Sequence, residues 1–298
     1  MTATTNDTFY TELTTRNTGF IPADQQQRLR ESAALIAGCG STGGAVVEPL
    51  VRLGIGHLLL ADNGAFELNN LNRQHASVAD IGRNKAEVAA ERVRAINPHL
   101  EPVVETMGIT ADNVDQLVRA ADIVIDGVDV TENSGWAAKA QLHAAAVVHA
   151  RPVISGYDMA GTQFVRFYDY RRPGSRAFDG KITAEHLETA TTWSLLTKVI
   201  PPRIVPLEMI QNIRDNLDNP GYSVPQLTYS AMLFGVLASR MTAEVLDGKP
   251  VRRTVLVDVH HAVRDRRTRA RVGAMKMRTL VGASRDIARL RRSSRNTT

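Results

Sequence analysis

Asp62, Arg73, Lys85 and Asp129 are the residues of this chain best suited to chemistry on phosphates. Arginine offers a planar bidentate fork and lysine a point charge. A carboxylate can hold a Mg²⁺ that bridges phosphate oxygens. These four gain meaning from the segment GCGSTGG (38–44), in which Gly38, Gly40 and Gly43 satisfy G-x-G-x-x-G. The first glycine of that pattern permits a turn, the second lets backbone approach a phosphate, and the third packs helix on strand. Asp62, about 24 residues after Gly38, can accept from a ribose hydroxyl.

Those features alone suit NAD, FAD and ATP equally. The next stretch discriminates among them. ELNNLNRQ (67–74) brings Asn70, Arg73 and Gln74 onto a loop near the turn, and GRNKAEVA (82–89) sets Lys85 at the start of a helix whose positive end also favours anions. Two cations and a helix terminus suit a triphosphate better than the diester bridge of a dinucleotide. IDGVD (125–129) places Asp126 and Asp129 at the carboxyl edge of a strand, where ligands of such sheets bind. Asp129 there can hold the metal; Asp126 reads as a helix cap or structural residue.

The elements that must hold these side chains follow from periodicity. Residues 33–37 form an apolar run, 46–53 repeat at helical spacing, and 57–62 form a second apolar run. Strand, glycine turn, helix, strand is the opening unit of a doubly wound sheet. A helix over 85–98 stopped by Pro98, a strand at 101–105, a helix over 112–121 capped by Asp112, and a strand at 121–126 continue it. A helix over 137–148 and a strand at 152–156 complete the series. The expected fold class is α/β: a Rossmann-like, mostly parallel sheet with helices on both faces. Antiparallel strands at 162–170 and 251–259, a helix over 230–246, and an irregular insertion over 171–227 with helical pieces near 184–190 and 206–217 extend it. The expected organisation is an N-terminal helical arm (1–32), an ATP-binding unit (33–170), a substrate or insertion lobe continuous with it (171–260), and a basic C-terminal segment (261–298).

The order and spacing of RNTGF, QQRL, GCGSTGG, the Asp62 strand end, NNLNRQ, GRNK, INP and IDGVD resemble the ThiF/MoeB adenylyltransferases, bacterial relatives of ubiquitin-activating enzymes. The resemblance runs from about Arg16 to about Tyr170. It implies an enzyme that binds ATP and Mg²⁺ and attaches AMP to a carboxylate, usually of a protein or peptide C-terminus. It implies that Asp62 holds the ribose, that Arg73 and Lys85 hold phosphates with Asn70 and Gln74 beside them, and that Asp129 handles the metal. Arg16 matches an arginine that reaches into the other subunit's site, which implies a homodimer. Three departures stand out: Gly64 where an Asp is common, Val130 where an Asn is common, and no paired CxxC zinc motifs. Cys39, the single cysteine, sits inside the glycine turn and reads as packing, so zinc and an enzyme thioester are not expected.

Composition sets the remaining bounds. Of the 36 Lys and Arg, 14 fall in residues 251–298, against 3 of the 31 Asp and Glu. That segment reads as a solvated, partly disordered tail or as an attractor of acidic partners or nucleic acid. Arg171, Arg172, Arg176 and Lys181 read as a solvated basic loop or a carboxylate-binding cluster, and the pair His260-His261 as a strand end. No apolar run is long enough to span a bilayer and no secretory signal pattern opens the chain, so a cytoplasmic protein without membrane contact is expected. The expected substrate is a carboxylate-bearing peptide, carrier protein or small molecule. Competing readings are an RNA-modifying carboxylate-activating relative, a NAD-linked oxidoreductase, and a non-catalytic scaffold.

Overall fold

The computed structural model describes residues 5–293, except 132, 217, 218, 220 and 221. Helices α1 (Asn6–Thr14) and α2 (Ala23–Glu31) precede strand β1 (Ala33–Ala37). Then α3 (Ser41–Leu53), β2 (His57–Ala61), α4 (Lys85–Ile96), β3 (Val103–Glu105), α5 (Val114–Arg119), β4 (Ile123–Asp126), α6 (Asn133–Val148) and β5 (Val153–Met159) alternate. Strand β6 (Thr162–Tyr168) turns the chain back. After it come α7 (Ala184–Thr189), α8 (Thr192–Val199), α9 (Leu207–Asp215), α10 (Thr228–Leu246), β7 (Thr254–Asp258), α11 (Val259–Val263) and α12 (Arg266–Ser293).

The strands form one sheet in the order β3-β2-β1-β4-β5-β6-β7. The first five run parallel, and β6 and β7 pair antiparallel. The central strands are apolar throughout because both faces are covered. In β1, Ala34 and Ile36 enter one core with Val46, Leu50 and Phe234 of α3 and α10, while Leu35 and Ala37 enter the other with Val118, Trp136 and Leu142 of α5 and α6. The order in which successive strands are added reverses between β1 and β4, and the crevice at their carboxyl ends is where such a sheet binds ligands.

Several local expectations change. The cap expected from Asp112 is absent: α5 begins after Asn113, whose Oδ1 accepts from the Thr110 amide at 2.9 Å. Helix α8 lies inside the insertion, started by Thr191, whose side chain accepts from the Ser194 amide. The His260-His261 pair follows the end of β7 closely, in the short helix α11, and Tyr229 Oη lies 2.5 Å from His260 Nε2. Residues 266–293 of the basic segment form the long helix α12. Asp265 starts it by accepting from the Thr268 amide at 2.9 Å, and Arg264 pairs with Glu208 of α9.

Candidate active site

A cavity of about 1460 Å³ opens at the carboxyl edge of the sheet. Gly38, Gly40, Asp62, Arg73, Gln74, Lys85 and Asp129 all line it, so residues spread over more than ninety positions of sequence share one space.

The glycine turn forms the floor. Gly38 adopts φ +86°, and a Cβ there would stand 2.5 Å from the Gly127 carbonyl oxygen, so the turns after β1 and β4 touch only because it is glycine. A Cβ on Gly43 would lie 1.8 Å from the Gly38 carbonyl oxygen; this residue serves the close approach and does not line the cavity. Helix α3 starts at Ser41 after Gly40, which supplies no side-chain cap, and Gly40, Ser41 and Thr42 line the cavity. The neighbouring helix α4 differs: Asn84 caps it by accepting from the Ala86 and Glu87 amides at 2.9 and 3.2 Å. The uncapped amides of α3 therefore form the anion-receptive terminus. Ser41 Oγ beside them is buried without a hydrogen-bond partner.

Asp62 Oδ2 accepts from the Cys39 amide at 2.6 Å and Oδ1 from the Gly64 amide at 2.7 Å. Burial raises the pKa of this carboxyl; the two amides and nearby Lys85 offset part of that effect. A Cβ on Gly64 would lie 3.1 Å from Asp62 Oδ1 and 3.4 Å from Lys85 Nζ, so a side chain there would press against both groups. Cys39 is buried within the turn, and burial pushes its thiol well above the ordinary value.

Arg73 is held by its own loop and by the segment before α10. Its Nη1 donates to the Asn69 carbonyl at 3.0 Å and to Asn72 Oδ1 at 2.8 Å, and its Nε donates to Gln226. Asn70 shapes the loop rather than the cavity: it is buried, and its Oδ1 accepts from the Glu67 amide at 3.1 Å. Arg92 fixes the loop's far end, donating to the His75 carbonyl at 2.9 Å while pairing with Glu48. Gln74 lines the cavity with a buried, unpartnered Oε1.

Asp129 is exposed at the cavity mouth, and its Oδ1 accepts from the Thr131 amide at 2.9 Å. No group of three His, Cys, Asp or Glu able to hold a metal occurs among the described residues. One carboxylate beside a phosphate-sized space fits Mg²⁺, which keeps waters and phosphate oxygens as most of its ligands. Arg16 lies outside the cavity, exposed on a 3₁₀ turn (Thr15–Asn17). Arg171 and Arg172 pair with Asp169, and none of Arg171, Arg172, Arg176 and Lys181 lines the cavity.

Three features add to the sequence reading, the first being the network behind the structural role expected of Asp126. Asp126 is fully buried: its Oδ2 accepts from Lys139 Nζ at 2.5 Å, His143 Nε2 at 3.0 Å and Ser155 Oγ at 2.6 Å, and its Oδ1 from the Val128 amide at 3.3 Å. Burial alone would raise its pKa, but Lys139 and His143 outweigh that and hold the carboxyl well below the usual range. Burial lowers the His143 pKa, so its Nδ1 is free to accept from Tyr170 Oη at 2.6 Å. This network anchors the loop that carries Asp129. Gln226 is the second feature. The third is Asp158 at the end of β5, where burial lifts the carboxyl to about 7 despite Ser230, the Ala160 amide and Arg73 nearby. Neither Asp158 oxygen has a well-formed hydrogen bond.

The sequence profile of the ThiF family matches residues 14–267, most of the chain. The chain belongs to the ThiF family. This ThiF-family chain is 34% identical over 180 residues to the uncharacterized protein MT1398 of Mycobacterium tuberculosis, covering 59% of this chain and 24% of that protein. It is 37% identical over 107 residues to the sulfur carrier protein ThiS adenylyltransferase of Bacillus subtilis, covering 35% of this chain and 32% of that one. The alignments thus span a quarter to a third of these relatives' lengths. Among solved structures, the crystal structure of PaaA shares the fold, with TM-score 0.63 and 20% identity over 87% of this chain and 82% of that one. No helix among the described residues is long and apolar enough to cross a membrane.

Proposed function

We propose that this ThiF-family protein uses ATP to activate a carboxylate as an acyl-adenylate and passes it directly to a nucleophile. The observation that carries this reading is the shared cavity: the uncapped start of α3 lies in one space with Arg73, Lys85, Asp62 and Asp129. The adenylyltransferase name of the B. subtilis relative supports it. A nicotinamide dinucleotide would use the glycine turn and Asp62 but leave Arg73 and Lys85 without a phosphate to meet.

In the proposed reaction, a substrate carboxylate oxygen attacks the α-phosphorus of ATP, the bond to the bridging oxygen breaks, and pyrophosphate leaves with the electron pair. The carboxylate is already ionised at pH 7, so no side-chain base is required. Catalysis rests on positioning and charge neutralisation. The α3 amides and Ser41 Oγ bind phosphate oxygens, Arg73 and Lys85 neutralise the departing charge, and Asp62 orients the ribose. Asp129 would hold Mg²⁺, which supplies charge stabilisation across the phosphates when bound. Cys39 cannot take the acyl group because its thiol is enclosed in the turn. We further propose a homodimer in which exposed Arg16 reaches the site of a second copy. The test is ATP–pyrophosphate exchange screened against carboxylate-bearing peptides and metabolites. Exchange that requires both ATP and one acid supports the reading; no ATP binding at all overturns it.

A further inference from the structure

The cavity is larger than a nucleotide needs. Small-molecule sites commonly occupy about 300–1,000 Å³, and this one reaches about 1460 Å³. Its excess lies beside the insertion. Leu196 and Ile200 of α8 and its following turn, Val205, Ile213 of α9 and Val224 line that side. Each is only half-buried, its inner surface packed on the second core. Trp193, 47% exposed, stands on the same wall. The polar side chains there, Thr197, Arg214 and Arg278, are exposed, and α12 lines the chamber with Arg278, Thr279 and Leu280. Apolar surface left unpacked inside a cavity continuous with polar catalytic candidates is the usual composition of a site for an apolar ligand.

We propose that this chamber holds the body of the acid to be activated, and that the substrate is a small carboxylic acid with an apolar chain or ring rather than a polar protein tail. The composition of the wall favours that occupant. Thr197, Arg214 and Arg278 are the polar side chains beside Leu196, Ile200, Val205, Ile213 and Val224; along those five a glycine-rich tail meets only apolar side chains, and desolvating its backbone against them is unfavourable. The inference rests on the adenylation reading, since it assigns the carboxylate end to the nucleotide side.

The test is binding of hexanoate, octanoate and decanoate to the full chain with a non-hydrolysable ATP analogue present, followed by Trp193 fluorescence. Trp136 is buried in the core and serves as the silent background. Affinity is expected to rise about two- to fourfold per methylene, with a blue shift that Trp193→Phe removes without removing binding. Ile213→Gln should weaken decanoate at least tenfold while analogue affinity stays within twofold. Pyrophosphate exchange should follow the same chain-length order. Chain-length-independent binding, equal loss of both ligands in Ile213→Gln, or exchange supported only by a diglycine-ended peptide would overturn the apolar-acid assignment and leave adenylation standing. Failure of the wild type to bind the ATP analogue would instead remove the adenylation reading and this one with it.

Discussion

At one end of the cavity the functional candidates hang from strand ends or their first loops: Gly38 after β1, Asp62 after β2, Asp129 after β4, and Lys85 at the first turn of α4. At the other end the wall comes from short helices α8 and α9, joined through Pro201, Pro202 and Pro206, and from α12. The first end is charged, hydrogen-bonded and fixed by the sheet. The second is apolar and depends on packing between short pieces. The contrast teaches a division of labour: reaction geometry is placed where backbone position is over-determined, and ligand choice where side chains can change without disturbing the sheet.

The strongest way to break this contrast is to disturb the support beneath the charged end. Lys139→Met leaves Asp126 buried without its ammonium partner, and urea unfolding should show a loss of about 3–5 kcal/mol. A loss under 1 kcal/mol would mean that the Asp126 network does not organise this end. Next in size are Arg73→Ala and Asp129→Ala, expected to slow pyrophosphate exchange about 10²–10³-fold with circular dichroism and melting temperature close to wild type. Near-normal exchange in either would remove that side chain from the reaction.

A third prediction concerns pH. The Asp158 carboxyl moves from 3.8 in the unfolded chain to about 7 in the folded one. Between those values the folded protein retains a proton that the unfolded chain has released. Its favourable contribution is therefore full below 3.8 and is lost as pH rises through about 7. Asp158→Asn should flatten that part of the stability profile and be the more stable protein at pH 8, by up to about 4 kcal/mol at the upper limit. A profile unchanged by the substitution would show that Asp158 titrates normally. The smallest effect sharpens the other side of the comparison: Trp193→Ala, at an exposed position, should change stability by less than about 0.5 kcal/mol and leave ATP affinity intact.

Much of the charged end was legible in the sequence because it is written in local signals. A glycine turn between two apolar runs, an acidic residue closing the second, and cations at loop and helix starts each have a backbone reason to be where they are. Asn70 had such a signal too, yet its side chain serves the turn at Glu67. The insertion was less legible. Helix α8 is eight residues long, too short for periodicity to distinguish it from a buried loop. Helix α12 was obscured by its charge: dense arginine reads as tail, although arginine, alanine, methionine and leucine are good helix formers and Asp265 supplies a start. Gln226 and Asp158 carry no motif. Their positions follow from tertiary neighbours: Gln226 from Arg73, and Asp158 from the burial of the β5 end.

Cys39 has a practical consequence. Thiol reagents and oxidants act on the thiolate of an accessible cysteine, and the only sulfhydryl of this protein is enclosed and held in its protonated form. A cysteine introduced at the exposed Trp193 or Arg278 position could therefore carry a spectroscopic label on an otherwise native background. The distance across the insertion end of the chamber, from α8 to α12, could then be followed in solution without first deleting the natural residue.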